Sequence, residues 1–280
     1  MILVTGRGSS GSWQIRANQL GSAYGGKVQP NATLKDCQKA DVIVVVKRLT
    51  APLYENIRAS GTPWVWDVVD FYPQPTCTAW VRSKVIHWVK SQLKRHPPNG
   101  IIWPNERMSE DCRTHLPSIV AYHHHRPDIA PNPIRKEVRR VGYEGSAGYL
   151  GQWEPLLRAE CSKRGWDFVI NQGVLADWDI CVAFRGDAVN GYAQYHWKSN
   201  VKLSNAMGSG TPFIGPRECG YTETASPLVQ WCDEVKELGA AFDALTPYQA
   251  RVDVHNEFMA SRITLDAVAM QVYAFLETVE

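Results

Sequence analysis

The chain has 280 residues, of which 44% are hydrophobic and 21% charged, and its formal net charge is +2. This composition is sufficient for a large core and excludes an intrinsically disordered chain. No apolar run approaches the ~18 residues of a membrane span, so we expect no transmembrane segment.

Short apolar runs alternate with helical patterns through the first half of the chain. The predicted strands are residues 2–5, 41–47, 64–69, 100–103 and 118–122. The predicted helices are residues 12–21, 52–60, 78–95 and 105–115. Strands that alternate with helices at this spacing form βαβ units, so the pattern predicts a parallel sheet.

Three prolines between Arg126 and Pro133 interrupt this alternation and predict an interdomain linker. The alternation then resumes, with predicted strands at 138–143, 166–170, 179–184 and 211–215 and a helix at 149–164. Apolar residues at helical spacing over 256–280 predict an amphipathic helix. We expect an N-terminal Rossmann-like domain at 1–128, a second at 129–255, and a ligand cleft between them.

The loop Gly6-Arg7-Gly8-Ser9-Ser10-Gly11 follows a predicted strand and precedes a predicted helix. Glycines let the backbone approach an anion, and a helix N-terminus adds N–H donors, so Gly8, Ser9 and Gly11 are candidate phosphate contacts. A structural tight turn and an NAD site are the alternatives. The segment Lys27–Pro30 carries no acidic residue for a ribose, which leaves a dinucleotide fingerprint incomplete.

Lys198 and Lys202 precede a Gly-Ser-Gly turn and a new strand. Because residues i and i+4 share a helix face, both ammonium groups are expected to point at one anion such as a diphosphate. The alternative is a pair of solvated charges on an amphipathic helix.

Polar residues end two predicted strands and are candidate catalytic groups. Asp70 is a candidate base or acceptor anchor, with a loop hydrogen-bonding role as the alternative. His123, His124 and His125 end another strand, and alternation would place His123 and His125 on one face. They are a metal tract, a polar lining of the cleft, or plain structural histidines; the missing ligand spacing disfavours metal.

Positive charge is concentrated between Arg82 and Arg140, with twelve Lys/Arg against five Asp/Glu. It is either a solvated helix face or the footprint of an acidic partner. The candidate partner contacts on the predicted helix 78–95 are Lys84, Lys90, Lys94 and Arg95. The absence of G-x-S-x-G, P-loop and H-E-x-x-H motifs disfavours serine hydrolases, P-loop kinases and zincins.

Seven scattered cysteines without a C-x-x-C pair favour reduced thiols. The apolar start of the chain predicts a strand rather than a secretory signal. We therefore expect a cytoplasmic protein.

The segment Lys-x3-Lys-Leu-x2-Ala-Met-x-Ser-Gly-Thr-Pro-Phe-Ile, at residues 198–214, resembles the GT-B glycosyltransferases. The glycosyltransferase 4-like group and its phage-encoded relatives are the most similar, and residues 141–145 look like the start of that family's donor-binding domain. The resemblance implies two Rossmann-like domains facing each other across a cleft, with a helix at 256–280 crossing back to the first domain. It also implies a cytoplasmic location in the host if a phage encodes the chain.

The resemblance implies a hexosyl transfer from a nucleotide-diphosphate sugar, UDP-sugar first, with retention of configuration and no tightly bound cofactor or metal. Lys198 and Lys202 would hold the diphosphate, and Glu218 or Glu223 would accept from the ribose hydroxyls. The loop from Gly8 to Gly11 would close over the phosphates or the sugar.

Many relatives carry Glu-x7-Glu where this chain has Trp197 and Asn205. This departure weakens the ribose assignment and the expected stereochemistry. The favoured acceptor is a hydroxymethylated pyrimidine in double-stranded phage DNA, and a glycan or a lipid-linked acceptor is the alternative. A non-catalytic nucleotide-sugar-binding module and an NAD-linked enzyme remain open.

Overall fold

The computed structural model describes residues 1–70, 79–187 and 191–279. They form two compact units, each built on one parallel sheet. Unit 1 comprises the described residues of Met1–His123, Tyr192–Ser199 and Leu265–Glu280. Unit 2 comprises those of His124–Gly191 and Asn200–Thr264. The domain boundaries expected from the sequence, at residues 128 and 255, stay predictions.

The sheet of unit 1 has six strands in the order β2-β1-β3-β4-β5-β6. These strands are β1 (Ile2–Gly6), β2 (Lys27–Val28), β3 (Val42–Val46), β4 (Trp64–Asp67), β5 (Gly100–Trp103) and β6 (Ser118–Val120). All five residues of β3 are buried, because a central parallel strand is covered by helices on both faces. β1 pairs with β3 from Ile2 opposite Val42 to Gly6 opposite Val46.

The sheet of unit 2 has five strands in the order β11-β10-β9-β7-β8. They are β7 (Arg140–Tyr143), β8 (Asp167–Ile170), β9 (Ile180–Val182), β10 (Phe213–Gly215) and β11 (Gln230–Trp231). All of the strand pairings described in both sheets are parallel, as the βαβ alternation predicts.

The helices cover the faces of these sheets. In chain order they are α1 (Gly11–Trp13), α2 (Leu34–Cys37), α3 (Ala51–Ser60), α4 (Arg82–Arg95), α5 (Glu106–Asp111), α6 (Trp153–Lys163), α7 (Tyr192–His196), α8 (Val201–Ser209), α9 (Cys219–Thr222), α10 (Leu238–Leu245), α11 (Tyr248–Ser261) and α12 (Leu265–Leu276). A π-helix, Gln14–Gly21, continues α1. The predicted start of α4 at Thr78 lies outside the described residues.

The predicted helix at 256–280 is wrong as a single element. α11 ends at Ser261 and α12 begins at Leu265, so the segment contains the end of one helix and a second one. The prediction that a late helix packs on the N-terminal half is confirmed, since α12 contacts the π-helix and β6. Gly100 lets Phe275 of α12 approach β5, because a Cβ at Gly100 would lie 2.9 Å from the Phe275 ring.

A buried ion pair fixes the carboxyl edge of the first sheet. Arg16 of the π-helix donates through Nε and Nη2 to both carboxylate oxygens of Asp67, at 2.8 and 3.1 Å. Its Nη1 donates to the carbonyl oxygen of Ala121 at 3.1 Å. One side chain therefore ties the end of β4 and the segment that follows β6 to the π-helix.

Candidate functional site

A cationic cluster lies at the carboxyl edge of the second sheet. Lys202, in the first turn of α8, places Nζ 3.9 Å from the centre of the Tyr143 ring at the end of β7. Arg185, which follows β9, donates through Nε and Nη2 to the two carboxylate oxygens of Glu218, at 2.7 and 3.3 Å. Open α/β sheets bind their ligands at this edge, so a lysine and an arginine lie where a ligand site is expected.

Burial controls the charge of this cluster. Loss of hydration, and then the nearby guanidinium of Arg185, lower the pKa of Lys202 to about 7, which Glu218 opposes only in part. Burial also disfavours the charged form of Arg185, but Glu218 outweighs it and raises the pKa of Arg185 above its usual range. The guanidinium is therefore always charged, whereas the Lys202 amine titrates near neutral pH. A bound anion would favour its protonated form.

Gly145 leaves space for the Lys202 amine. Its φ of 142° is one that side-chain-bearing residues rarely adopt, and a Cβ there would lie 3.2 Å from Lys202 Nζ. Asn171 holds the glycine, because its amide donates to Gly145 O at 2.7 Å and its Oδ1 accepts from Gly145 N at 2.8 Å. A side chain at this position would therefore be strained and would crowd the amine.

The prediction that Lys198 and Lys202 share one helix face is wrong. α8 begins at Val201, so Lys198 precedes the helix and belongs to unit 1, while Lys202 belongs to unit 2. Lys198 Nζ lies 3.0 Å from an Asp70 carboxylate oxygen, and Lys47 Nζ lies 2.5 Å from the other.

Asp70 is held as an anion by these two lysines. Burial alone would raise its pKa, but Lys198 and Lys47 outweigh burial and lower the pKa to about 2. A carboxylate with so low a pKa is a weak proton acceptor near neutral pH. The two lysines therefore disfavour the role of base for Asp70, and its role as an acceptor anchor stays a prediction.

The glycine-rich loop connects β1 to α1 in unit 1. Gly8 and Ser9 have φ values of 80° and 52°, and the Ser10 hydroxyl caps α1 by accepting from Trp13 N at 3.1 Å. The strand β2 follows the helix, and the residues after it, Gln29 and Pro30, carry no acid. The loop thus has the strand–turn–helix context that was predicted.

The three histidines do not continue a strand. β6 ends at Val120, so the expected alternation of His123 and His125 on one face is wrong. His123 is buried in unit 1, whereas His125 lies in unit 2, where its Nδ1 is 2.8 Å from the carbonyl oxygen of Arg126. His125 also packs against α8, because a Cβ at Gly208 would come within 2.4 Å of the His125 Cβ.

The two positions that depart from the family pattern have structural partners. Trp197 is buried in the core of unit 1 and donates from Nε1 to Asp111 at 2.9 Å. Asn205 is buried in α8 and accepts from the backbone N of Arg126 at 3.0 Å. Glu218 is buried against Arg185, whereas Glu223 directly follows α9 and is partly exposed.

The predicted partner contacts lie together on α4. Lys84, Lys90, Lys94 and Arg95 are all exposed, and the helix contains no acidic residue. Val85, Val89 and Leu93 form its buried face. The exposed face of α4 therefore carries several basic residues and no acidic one.

The described part of the chain contains no group of three or more His, Cys, Asp or Glu side chains placed to hold a metal ion. Within the same residues, no helix combines the length and the apolar character needed to cross a bilayer.

Two parallel Rossmann-like sheets, with a late helix that returns to the first unit, define the GT-B fold, and solved structures support this assignment. The chain is similar to Anabaena HepE in complex with UDP and glucose, with a TM-score of 0.72 and 10% identity over 99% of this chain and 100% of that chain. It is also similar to AviGT4, a glycosyltransferase involved in avilamycin A biosynthesis, with a TM-score of 0.54 and 12% identity over 99% and 98% of the two chains. For TarM the TM-score is 0.63 and the identity 10%, over 88% of this chain and 58% of that chain. No protein-family model and no curated protein sequence matches the chain. The predicted GT-B fold class is confirmed.

The sequence alone did not indicate Arg185 or Lys47 as site residues. Arg185 stands immediately after the apolar run 180–184, and Lys47 immediately after β3. A charged residue directly after a buried parallel strand was the available signal, because such positions lie at the ligand-binding edge.

Proposed function

We propose that the chain is a glycosyltransferase that moves a hexose from a UDP-sugar to an acceptor hydroxyl. The observation that carries this proposal is that Lys202 and Arg185 both lie at the carboxyl edge of the second sheet, close enough for the charge of Arg185 to lower the pKa of Lys202. HepE, whose fold is similar, was crystallised with UDP and glucose. The diphosphate of UDP is an anion of the kind that such a pair of cations binds.

In this proposal, Lys202 and Arg185 hold the diphosphate and stabilise the charge that develops on it when the bond to the sugar breaks. Glu218 keeps the guanidinium of Arg185 in position through two hydrogen bonds. Either Glu218 or Glu223 accepts from the ribose hydroxyls. The donor contacts inferred for Lys198 and the glycine-rich loop remain predictions of the family resemblance.

The acceptor hydroxyl must lose a proton during transfer. His123 and His125 remain the candidate bases, and we assign Asp70 the anchoring role because of its pKa of about 2. Retention of the anomeric configuration is part of the proposal and would be decided by the anomeric coupling constant of the product in proton NMR.

The donor site is tested by calorimetric titration of UDP and by UDP release from a panel of UDP-sugars. Lys202→Met should weaken UDP binding about 10- to 100-fold, the effect of losing a charge-assisted hydrogen bond. Lys236→Met, at an exposed lysine of the same unit, is the matched control and should bind as the wild type does. Equal UDP affinity in all three proteins would refute the site. UDP binding without turnover of any sugar would instead support a non-catalytic nucleotide-sugar-binding module.

We propose phage DNA with hydroxymethylated pyrimidines as the first acceptor to test, because the exposed face of α4 is basic and free of acid. Four phosphate contacts, one from each of Lys84, Lys90, Lys94 and Arg95, would give a slope of log affinity against log salt near −3.6, at about −0.9 per contact. Each single substitution to glutamine should reduce the slope by about one. Absent or salt-insensitive binding of duplex DNA would leave glycans and lipid-linked sugars as the acceptors to test.

A further inference from the structure

The carboxyl ends of β3 and β4 carry two turns of the same unusual kind. After β3, Arg48 N donates to Val46 O at 2.7 Å across Lys47, whose φ is 60°. After β4, Asp70 N donates to Val68 O at 2.7 Å across Val69, whose φ is 65°. Three-residue turns with a left-handed central residue are rare, and a β-branched valine at this φ is an outlier. Strain of this kind persists where surrounding contacts hold it and is concentrated at functional sites.

These two turns bring charged side chains together. Asp70 pairs with Lys47 and Lys198, and each of the three side chains is at most 15% exposed. Lys47 Nζ also donates to the Ser12 hydroxyl at 3.4 Å. Since one carboxylate faces two ammonium groups, this buried set keeps a net positive charge.

A cavity of about 210 Å³ adjoins this set within unit 1. It is lined by the cations Arg7, Lys47 and Arg48 and by Gly8 and Ser9 of the glycine-rich loop. None of its lining residues in the described part of the chain is acidic. The volume is below the roughly 300–1,000 Å³ typical of sites for drug-sized ligands. The cavity therefore suits a small anion better than a whole nucleotide sugar.

We propose that this cavity is an oxyanion site that binds a phosphate group of the acceptor, so that Gly8 and Ser9 contact the acceptor instead of the donor phosphates that the family resemblance implies for them. Arginine suits this role because its planar guanidinium matches two phosphate oxygens at once. The assignment to the acceptor rests on the proposed glycosyl transfer, whereas the binding of an oxyanion does not. A phosphate monoester and a phosphodiester share this chemistry, so the experiment must separate them.

The probe is inorganic phosphate, titrated calorimetrically against the protein saturated with UDP at constant ionic strength. Arg7→Gln and Arg48→Gln should each weaken phosphate binding at least tenfold while UDP affinity stays within twofold of the wild type. Arg58→Gln, at an exposed arginine of the same unit, should change neither. Unchanged phosphate affinity in both pocket variants would overturn the site. Equal loss of UDP and phosphate affinity would assign the cavity to the donor instead.

Failure of the proposed donor site can be distinguished from failure of the oxyanion site. If UDP does not bind, phosphate is titrated against the Lys202→Met protein, and the same dependence on Arg7 and Arg48 still supports the oxyanion site. Competition of glycerol phosphate or of a thymidine dinucleotide with phosphate then identifies a monoester or a diester acceptor group. If neither competes, the assignment of the cavity to the acceptor is wrong.

Discussion

Replacing Lys202 with methionine removes a buried amine while preserving most of the side-chain volume. The pKa of about 7, against an ordinary lysine value of 10.5, corresponds to about 5 kcal/mol between the protonated and neutral forms. Below pH 7, Lys202 is protonated in both the folded and the unfolded chain. The burial of its charge therefore lowers the free energy of unfolding by this full amount. Between pH 7 and 10.5 only the unfolded chain keeps the proton, so the wild type gains about 1.4 kcal/mol of stability per pH unit.

We therefore expect Lys202→Met to exceed the wild type in free energy of unfolding by a few kcal/mol at pH 6. This advantage should shrink steadily as the pH rises above 7. Urea denaturation of both proteins at pH 6, 7, 8 and 9 measures the difference, and Lys236→Met corrects for the loss of a surface charge. A difference that is the same at every pH would show that Lys202 is not neutral in the folded protein.

Ligand binding should show the opposite trend with pH. A bound diphosphate favours the protonated amine, so above pH 7 the wild type must take up a proton on binding UDP. Its UDP affinity should fall up to tenfold per pH unit between pH 7 and 9. Burial raises the pKa of Tyr143 and of Cys181 to about 12, and Arg185 stays charged, so these neighbours do not titrate in this range. Glu144 and Glu218 are the nearby acids, and the Lys202→Met variant retains both. If Lys202 is the group that takes up the proton, the dependence of UDP affinity on pH should therefore vanish in Lys202→Met. A wild-type slope in that variant would assign the proton to another group.

Three further substitutions test other parts of the structure. Asp70→Asn should lower the free energy of unfolding by about 3 kcal/mol at pH 7, because it leaves two buried ammonium groups without their carboxylate. Since the pKa of the Asp70 carboxyl is lowered to about 2, urea denaturation should show this difference from the wild type diminishing as the pH falls from 4 to 2. Gly142→Ala should destabilise unit 2 by about 3 kcal/mol or more in thermal unfolding, because its Cβ would lie 1.8 Å from the ring of Trp178, and a neutral effect would contradict this packing. Trp197→Phe should cost about 1–3 kcal/mol by removing a donor to buried Asp111 and leave UDP affinity unchanged; loss of UDP binding in a stably folded variant would contradict a purely structural role.

The parallel sheets could be predicted from the sequence because their strands are continuous apolar runs. In a chain that alternates strands and helices, the continuous apolar run of β3 indicates a central parallel strand. The observed strand lies within one residue of its predicted limits. Short edge strands such as β2 and β11 contain two residues each, too few to show any period.

The candidate site could be predicted only in part. The sequence indicates Lys202 but not Arg185. Arg185 is held by Glu218, which is 33 residues away in the chain, and the two meet only because of the strand order in the sheet. Helix spacing predicts one face for Lys198 and Lys202, but Lys198 precedes the first turn of α8, where that spacing does not apply. The left-handed Val69 could not be predicted, because no residue preference indicates a strained valine.

The discontinuous makeup of unit 1 has a consequence for synthesis on the ribosome. Its six strands are complete by Val120, yet Trp197 and α12 follow after stretches that belong to unit 2. At 5–20 residues per second, the ~140 residues between His123 and Leu265 take about 7–30 s to translate. During that interval the surface of β5 at Gly100 lacks the native packing of Phe275. Unit 2, whose segments end at Thr264, is therefore the first of the two that can fold to completion, although its chain begins second.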